Sequence, residues 1–259
     1  MVCLSFDIEE FDMPLEYKGV ISFEEQISVS RSGLKIILDL LRKFEIKATF
    51  FSTVVFAQNN LDLIKEIVGE GHELASHTYY HSKFDIKDLL SSKQELESLS
   101  GRQIQGLRMP RMMQVADSDV LAAGYRYNSS INPTWLPGRY DNRHLPRTLF
   151  IEKGLIQIPA SVSPRLRFPL FWLSFHNLPL SVYLLLLQKA YQKDGYLNLY
   201  FHPWEFIDIK KKAYCLPKYT CINTGNRMII RFTRLLEWIK KKNYSGNTLE
   251  NLAGSFETK

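Results

Sequence analysis

The chain has 259 residues, 45% of them apolar and 23% charged, with a net charge of +6. That composition excludes a disordered or fibrous chain, and three cysteines, Cys3, Cys215 and Cys221, are too few for a disulfide framework. Basic residues are scattered apart from Lys210-Lys211-Lys212 and Lys240-Lys241-Lys242, which read as solvated faces, and no nucleic-acid motif accompanies them.

Val2 to Phe6 is a short apolar run that opens into Asp7-Ile8-Glu9-Glu10, the pattern of a buried strand with acidic residues at its carboxyl end. Leu34, Ile37, Leu38 and Leu41 follow helical spacing, and that helix is expected to end near Phe44. Ile46 to Ser52 reads as a second strand, Leu61 to Val68 as a helix, and Glu73 to Ser76 as a third strand delivering His77. Asp85 is the expected N-cap of a helix reaching Leu99, with Gly101 just past its end. Ile104–Met109, Tyr125–Ser129, Ile156–Pro159 and Tyr196–Phe201 read as further strands. Asp117–Ala123 reads as a helix between them, and Asn226–Lys241 as the final helix. Strands alternating with helices imply an α/β fold with a parallel sheet, open or closed into a barrel. No repeat or boundary divides the chain, so residues 1–259 are expected to form a single domain.

The most apolar stretch runs from Phe168 to Leu187, but prolines and His176-Asn177 interrupt it before it reaches the roughly 18 residues a spanning helix needs. Its first reading is a loop and helix covering the core. Its second is a peripheral contact with lipid or a hydrophobic substrate.

Groups able to do chemistry fall at or just after the carboxyl ends of predicted strands, the edge that carries the active site in parallel α/β barrels. Asp7 and Glu9 follow the first strand, His77 and His81 the third, Arg108 and Pro110 the fourth, Asn128 the fifth, and His202 with Trp204 the last. Two apart in an extended chain, Asp7 and Glu9 point to the same side. Four apart, His77 and His81 share a face if they lie on a helical turn, and neutral imidazole is a common ligand for zinc and related metals.

In these residues the sequence resembles the polysaccharide deacetylases of the NodB-homology type, carbohydrate esterase family 4, in the branch with peptidoglycan deacetylases and allantoinase-like proteins. The resemblance rests on Ser5-Phe6-Asp7-Ile8-Glu9, Ser76-His77-Thr78-Tyr79-Tyr80-His81, Leu107-Arg108-Met109-Pro110, Tyr125 to Ser130 and Leu199-Tyr200-Phe201-His202. It implies an irregular seven-stranded barrel and one divalent metal, zinc by preference, held by Glu9, His77 and His81. It further implies Asp7 as general base, Arg108 as its orienting partner and His202 as general acid, with Pro110, Asn128 and Trp204 at the substrate. Two features depart from the family pattern. Ile8 separates acidic residues that are usually adjacent, leaving open which one touches metal. Asn128 stands where many relatives have an Asp that supports the catalytic histidine, a role Glu205 is placed to fill.

The expected function is therefore a metal-dependent hydrolase of carbon–nitrogen bonds that removes an N-acetyl group from an amino sugar in a polysaccharide or glycan precursor. The alternatives are an allantoinase-like amide hydrolase on a small non-sugar substrate and a carbohydrate-binding relative with little catalysis. No secretion signal is read in Met1 to Phe6, so a cytoplasmic site of action is expected, with membrane contact through residues 168–187 as the second reading of that segment. His72 and His144 receive no role, and His176 is a candidate for the pocket wall. Trp135, Trp172 and Trp204 are candidates to stack on a sugar face, with the core as the first reading of Trp135 and Trp172.

Overall fold

The computed structural model describes residues 1–257. Its strands are β1 (Val2–Ile8), β2 (Thr49–Ser52), β3 (Glu73–Ser76), β4 (Gly106–Leu107), β5 (Tyr127–Asn128), β6 (Trp135–Leu136), β7 (Tyr140–Asp141), β8 (Phe150–Glu152), β9 (Leu155–Gln157), β10 (Leu197–Phe201) and β11 (Gly246–Asn247). The main sheet runs β10-β1-β2-β3-β4-β5-β9-β8, and every neighbouring pair from β10 to β9 is parallel. Seven parallel strands thus curl into an irregular barrel, with β8 antiparallel on the outer edge of β9. Where the two edges meet, Ser161 N donates to Asn198 O at 2.9 Å. The Asn198 amide donates to the carbonyls of Ile158 and Pro159 at 3.2 Å each. Asn198 N also donates to Ser161 Oγ at 2.8 Å, so a few bonds around Asn198 stand where a regular barrel would carry a ladder across its seam.

Alternating elements follow the predicted order, and Glu73–Ser76 and Asn226–Lys241 have the predicted bounds. Differences lie at the short elements. β4 and β5 keep only two residues each of longer predicted runs. Asp85 does not cap the next helix, which begins at Asp88; it instead accepts from Lys87 N in the preceding turn. Asn226–Lys241 is not the last helix: Leu249–Glu257 follows, and its Leu249, Leu252 and Ala253 pack beneath Cys3, Phe51 and Tyr127. Nine residues with three buried positions give too weak a period to stand out in sequence. All three cysteines are free.

The Phe23–Phe44 helix sets the position of the last active-site element. Ser22 caps it by accepting from Glu25 N at 3.2 Å, and Glu24 and Glu25 fill its first turn, Arg42 and Lys43 its last. On its buried face, a Cβ at Gly33 would stand 1.8 Å from Pro203 O, so only glycine lets the helix lie against the turn that follows His202. In the apolar stretch, Leu170, Phe171, Phe175, Tyr183 and Leu187 are buried, whereas Phe168, Val182 and Leu185 are exposed. Most of its bulk covers the core, in line with the first of its two readings. Among the described residues no helix is long and apolar enough to cross a membrane.

Candidate active site

The carboxyl ends of β1, β3 and β10 converge on a cavity of about 350 Å³ whose wall includes Asp7, Glu9, His77, His81 and His202. Asp7 is the penultimate residue of β1, paired with Phe51 of β2, and Glu9 follows just beyond the strand. His77 extends the β3 ladder by donating from its backbone N to Ser52 O at 2.8 Å. Beyond it the chain is not the helical turn that a four-residue spacing suggests. Thr78 takes a left-handed φ of 64°, and its carbonyl and that of Tyr79 accept from Val54 N and Val55 N at 3.2 Å each. Those donors are the free amides that open the Val54–Asn59 helix, so a helix start pins an irregular loop. The loop still brings the two imidazoles nearly parallel, with centroids 5.8 Å apart.

Glu9 Oε2 lies 3.0 Å from His77 Nε2 and 3.1 Å from His81 Nε2, and the three ligand atoms fall within 4.8 Å of one another. The hydrogen-bond partners on the far side of each ring fix what faces inward. His77 Nδ1–H donates to Arg108 O at 2.8 Å, and His81 Nδ1–H donates to the Asp12 carboxylate at 2.7 Å. Both Nε2 atoms therefore present lone pairs to Glu9 Oε2, which is buried and has no hydrogen-bond partner. Lone pairs so placed repel one another unless a cation stands among them, and two imidazoles with one carboxylate are a donor set suited to a divalent metal. The field has the same sign. Burial opposes a charge on His81, yet Glu9 and Asp12 outweigh it and push its pKa up to about 9.

Asp7 is buried against the wholly enclosed Arg108, whose Nη1 donates to its Oδ1 at 2.7 Å. Burial would raise the Asp7 carboxyl, but Arg108, His77 and His202 hold it below the ordinary value. The Arg108 guanidinium is itself fixed by Ser129 O, Ser129 Oγ and the Phe51 ring 4.1 Å beneath it. The free oxygen of Asp7, Oδ2, lies 3.9 Å from His202 Nε2. On its other side His202 Nδ1 donates to Glu205 Oε1 at 3.0 Å, and its ring stacks on Trp204 at 5.0 Å. Burial disfavours the imidazolium, but Glu205, Glu9 and Asp7 together raise the pKa of His202.

Pro110 and Asn128 do not reach this cavity, whereas Trp204 does. Pro110 opens the turn Pro110–Met112, whose next two residues have left-handed φ near 54° and 55° and line the cavity as Arg111 and Met112. Asn128 is taken up by Ser130, whose backbone N donates to its Oδ1 at 3.1 Å, so it offers His202 nothing. His202 Nδ1 is bonded to Glu205 instead. Of the two tryptophans read as core by default, Trp135 is 55% exposed, while Trp172 packs against the core and also lines the cavity. His176 lies behind the wall, bonded to Glu205. His72 is structural, its Nδ1 accepting from Ala48 N at 3.2 Å while burial pulls its pKa down to about 4. Sequence reasoning did not single out Asp12 or Arg111. The only available signal was Asp12 continuing the acidic run after Glu10.

Residues 18–127 match the family model described as polysaccharide deacetylase. A peptidoglycan-N-acetylglucosamine deacetylase of Bacillus cereus is 44% identical over 45 residues, which is 17% of this chain and 21% of that protein. Other curated relatives are likewise matched over 20–25% of their own length. Among solved structures, a probable polysaccharide deacetylase from Pseudomonas aeruginosa PAO1 superposes with a TM-score of 0.69 at 14% identity, over 100% of this chain and 91% of the other. The PuuE allantoinase superposes with a TM-score of 0.66 at 15% identity, over 99% and 90%. Likeness at that identity establishes the common barrel.

Proposed function

We propose, from the match of residues 18–127 to the polysaccharide deacetylase model, that the chain is a member of that family and a metal-dependent N-deacetylase acting on an N-acetylated amino sugar in a glycan or glycan precursor. One observation carries the reading. An unpartnered Glu9 Oε2 faces two bare imidazole nitrogens, with a carboxylate and a third imidazole on the adjoining wall. Glu9, His77 and His81 would hold a divalent cation, zinc by preference. Bound there, it would polarise a carbonyl oxygen and lower the pKa of a water molecule towards about 7.

The remaining steps belong to the protein. Asp7, kept ionised by Arg108, accepts the proton of the attacking water through Oδ2. His202, whose pKa Glu205, Glu9 and Asp7 raise against the effect of burial, donates a proton from Nε2 to the departing nitrogen, which leaves poorly as an anion. Trp204 and Trp172 exclude water from one side of that imidazole and offer flat faces to a sugar ring.

The test is metal analysis together with acetate release from N-acetylglucosamine oligomers, with allantoin as a control substrate. About one divalent metal per chain and metal-dependent acetate release support the reading. Ring opening of allantoin to its ureido acid, without acetate release from the oligomers, favours the small-amide alternative. Binding without turnover favours a sugar-binding relative.

A further inference from the structure

We propose that His176 is a positioning residue for the proton-donating His202 and acts through Glu205. The inference rests on the reading of His202 as the general acid. Glu205 is wholly buried and both of its oxygens are engaged. Oε1 accepts from His202 N at 2.5 Å and from His202 Nδ1 at 3.0 Å, and Oε2 accepts from His176 Nε2 at 2.7 Å. Neither the Glu205 nor the His176 side chain has any solvent exposure. A carboxylate in such surroundings requires a partner on each oxygen, because an unpaired buried acceptor costs its full desolvation. His176 supplies the second partner.

The geometry gives that partner a directional task. Glu205 sits three residues after His202 on one short turn, so the two move together unless something outside the turn holds the carboxylate. His176 comes from the separate helix Trp172–Asn177. That helix is anchored by Asn223 donating to His176 O and Arg231 Nη2 donating to Phe175 O, both at 2.5 Å. Its Trp172 ring stands nearly perpendicular to both imidazoles, 6.0 Å from His176 and 5.6 Å from His202. With Oε2 fixed from outside, Oε1 fixes Nδ1–H of His202, and Nε2 is the atom left facing Asp7 and the cavity. The apolar stretch thereby has a role at the site: it carries the anchor of the acid.

Replacing His176 with Leu removes the donor to Oε2, and His176→Asn leaves an amide too short to reach it. His176→Gln places an N–H close to the original Nε2. We expect kcat on N-acetylglucosamine oligomers to fall about 10- to 100-fold in the Leu and Asn variants, as misplacement of a catalytic group does. KM and metal content stay near wild type, the thermal midpoint falls in Leu and Asn because Oε2 is left unpaired, and the Gln variant recovers most of kcat and of the midpoint. The low-field Nδ1–H proton resonance of His202 should move in Leu and Asn and return in Gln. Should the Leu variant fail to fold, the contrast between Asn and Gln decides. Wild-type kcat in the Asn variant, or an equal loss in Asn and Gln, overturns the inference. A fully active His202→Ala enzyme instead overturns the general-acid reading on which it rests.

Discussion

Asp12 accepts a hydrogen bond from Nδ1 of His81 at 2.7 Å, and its second oxygen accepts from Arg111 Nη2 at 3.2 Å. The contact fixes which nitrogen of His81 faces Glu9 and makes that nitrogen a stronger donor to a cation. Partners of this kind typically contribute 10–100-fold to metal affinity. Asp12→Ala should therefore weaken the metal by about that factor, read by competition with a chromogenic chelator, while His77→Ala or His81→Ala empties the site. Unchanged affinity in Asp12→Ala would reduce the contact to loop packing.

The two carboxylates of β1 and its extension should separate cleanly. Glu9 Oε2 faces both imidazoles, whereas Asp7 is bonded to Arg108. Glu9→Gln is expected to lose metal. Asp7→Asn is expected to keep it and to lose about 10²–10⁴-fold in kcat, the usual cost of a missing base. Metal content and turnover measured on the same preparations check the assignment, and the opposite pattern would exchange the two roles.

Arg108 should matter for folding as well as for chemistry. It is fully buried, and its charge is the nearest compensation for buried Asp7. Removing one member of such a pair strands the other, at a cost of roughly 3–5 kcal/mol. Arg108→Met should lose stability by about that amount in urea unfolding. The double variant with Asp7→Asn should recover part of it, because the stranded charge is then gone. Additive losses would show that the ion pair is not the origin of the effect.

The gathering of the candidate groups on one rim was more legible in the sequence than the scaffolding that aims them. Asp7, Glu9, His77, His81, Arg108 and His202 were readable because each sits where a strand of clear apolar pattern ends, and the rim of a parallel barrel gathers such ends. Asp12, His176 and Trp172 were not, since their roles depend on contacts across 69, 29 and 30 residues, counted to His81, Glu205 and His202. The loop of His77 to His81 misled by its spacing, because four residues on a left-handed kink also converge. Asn128 misled by position: its partner, Ser130, lies two residues along the same strand exit. At the short pair β4 and β5, the Tyr127 ring lies 2.1 Å from where a Gly106 Cβ would be, so pairing there depends on a glycine.

At the far end of the barrel, Glu73 offers a prediction about pH that is independent of the metal site. It is buried and accepts from Tyr127 Oη and Thr49 Oγ1 at 2.7 Å each and from Glu250 N at 3.0 Å. Burial nevertheless dominates and pushes its pKa up to about 7, from an ordinary value of 4.5. Between those values the folded chain retains a proton that the unfolded chain releases. Its contribution is therefore fully present below about 4.5 and is lost as pH rises through about 7. The loss amounts to about 3 kcal/mol at most. Urea midpoints at acidic and alkaline pH should converge in Glu73→Gln relative to wild type, because the amide does not titrate. Every other titrating group is common to both proteins and cancels in the comparison. An identical pH dependence in the two proteins would mean that the three donors keep Glu73 ionised throughout, and that burial does not control this carboxylate.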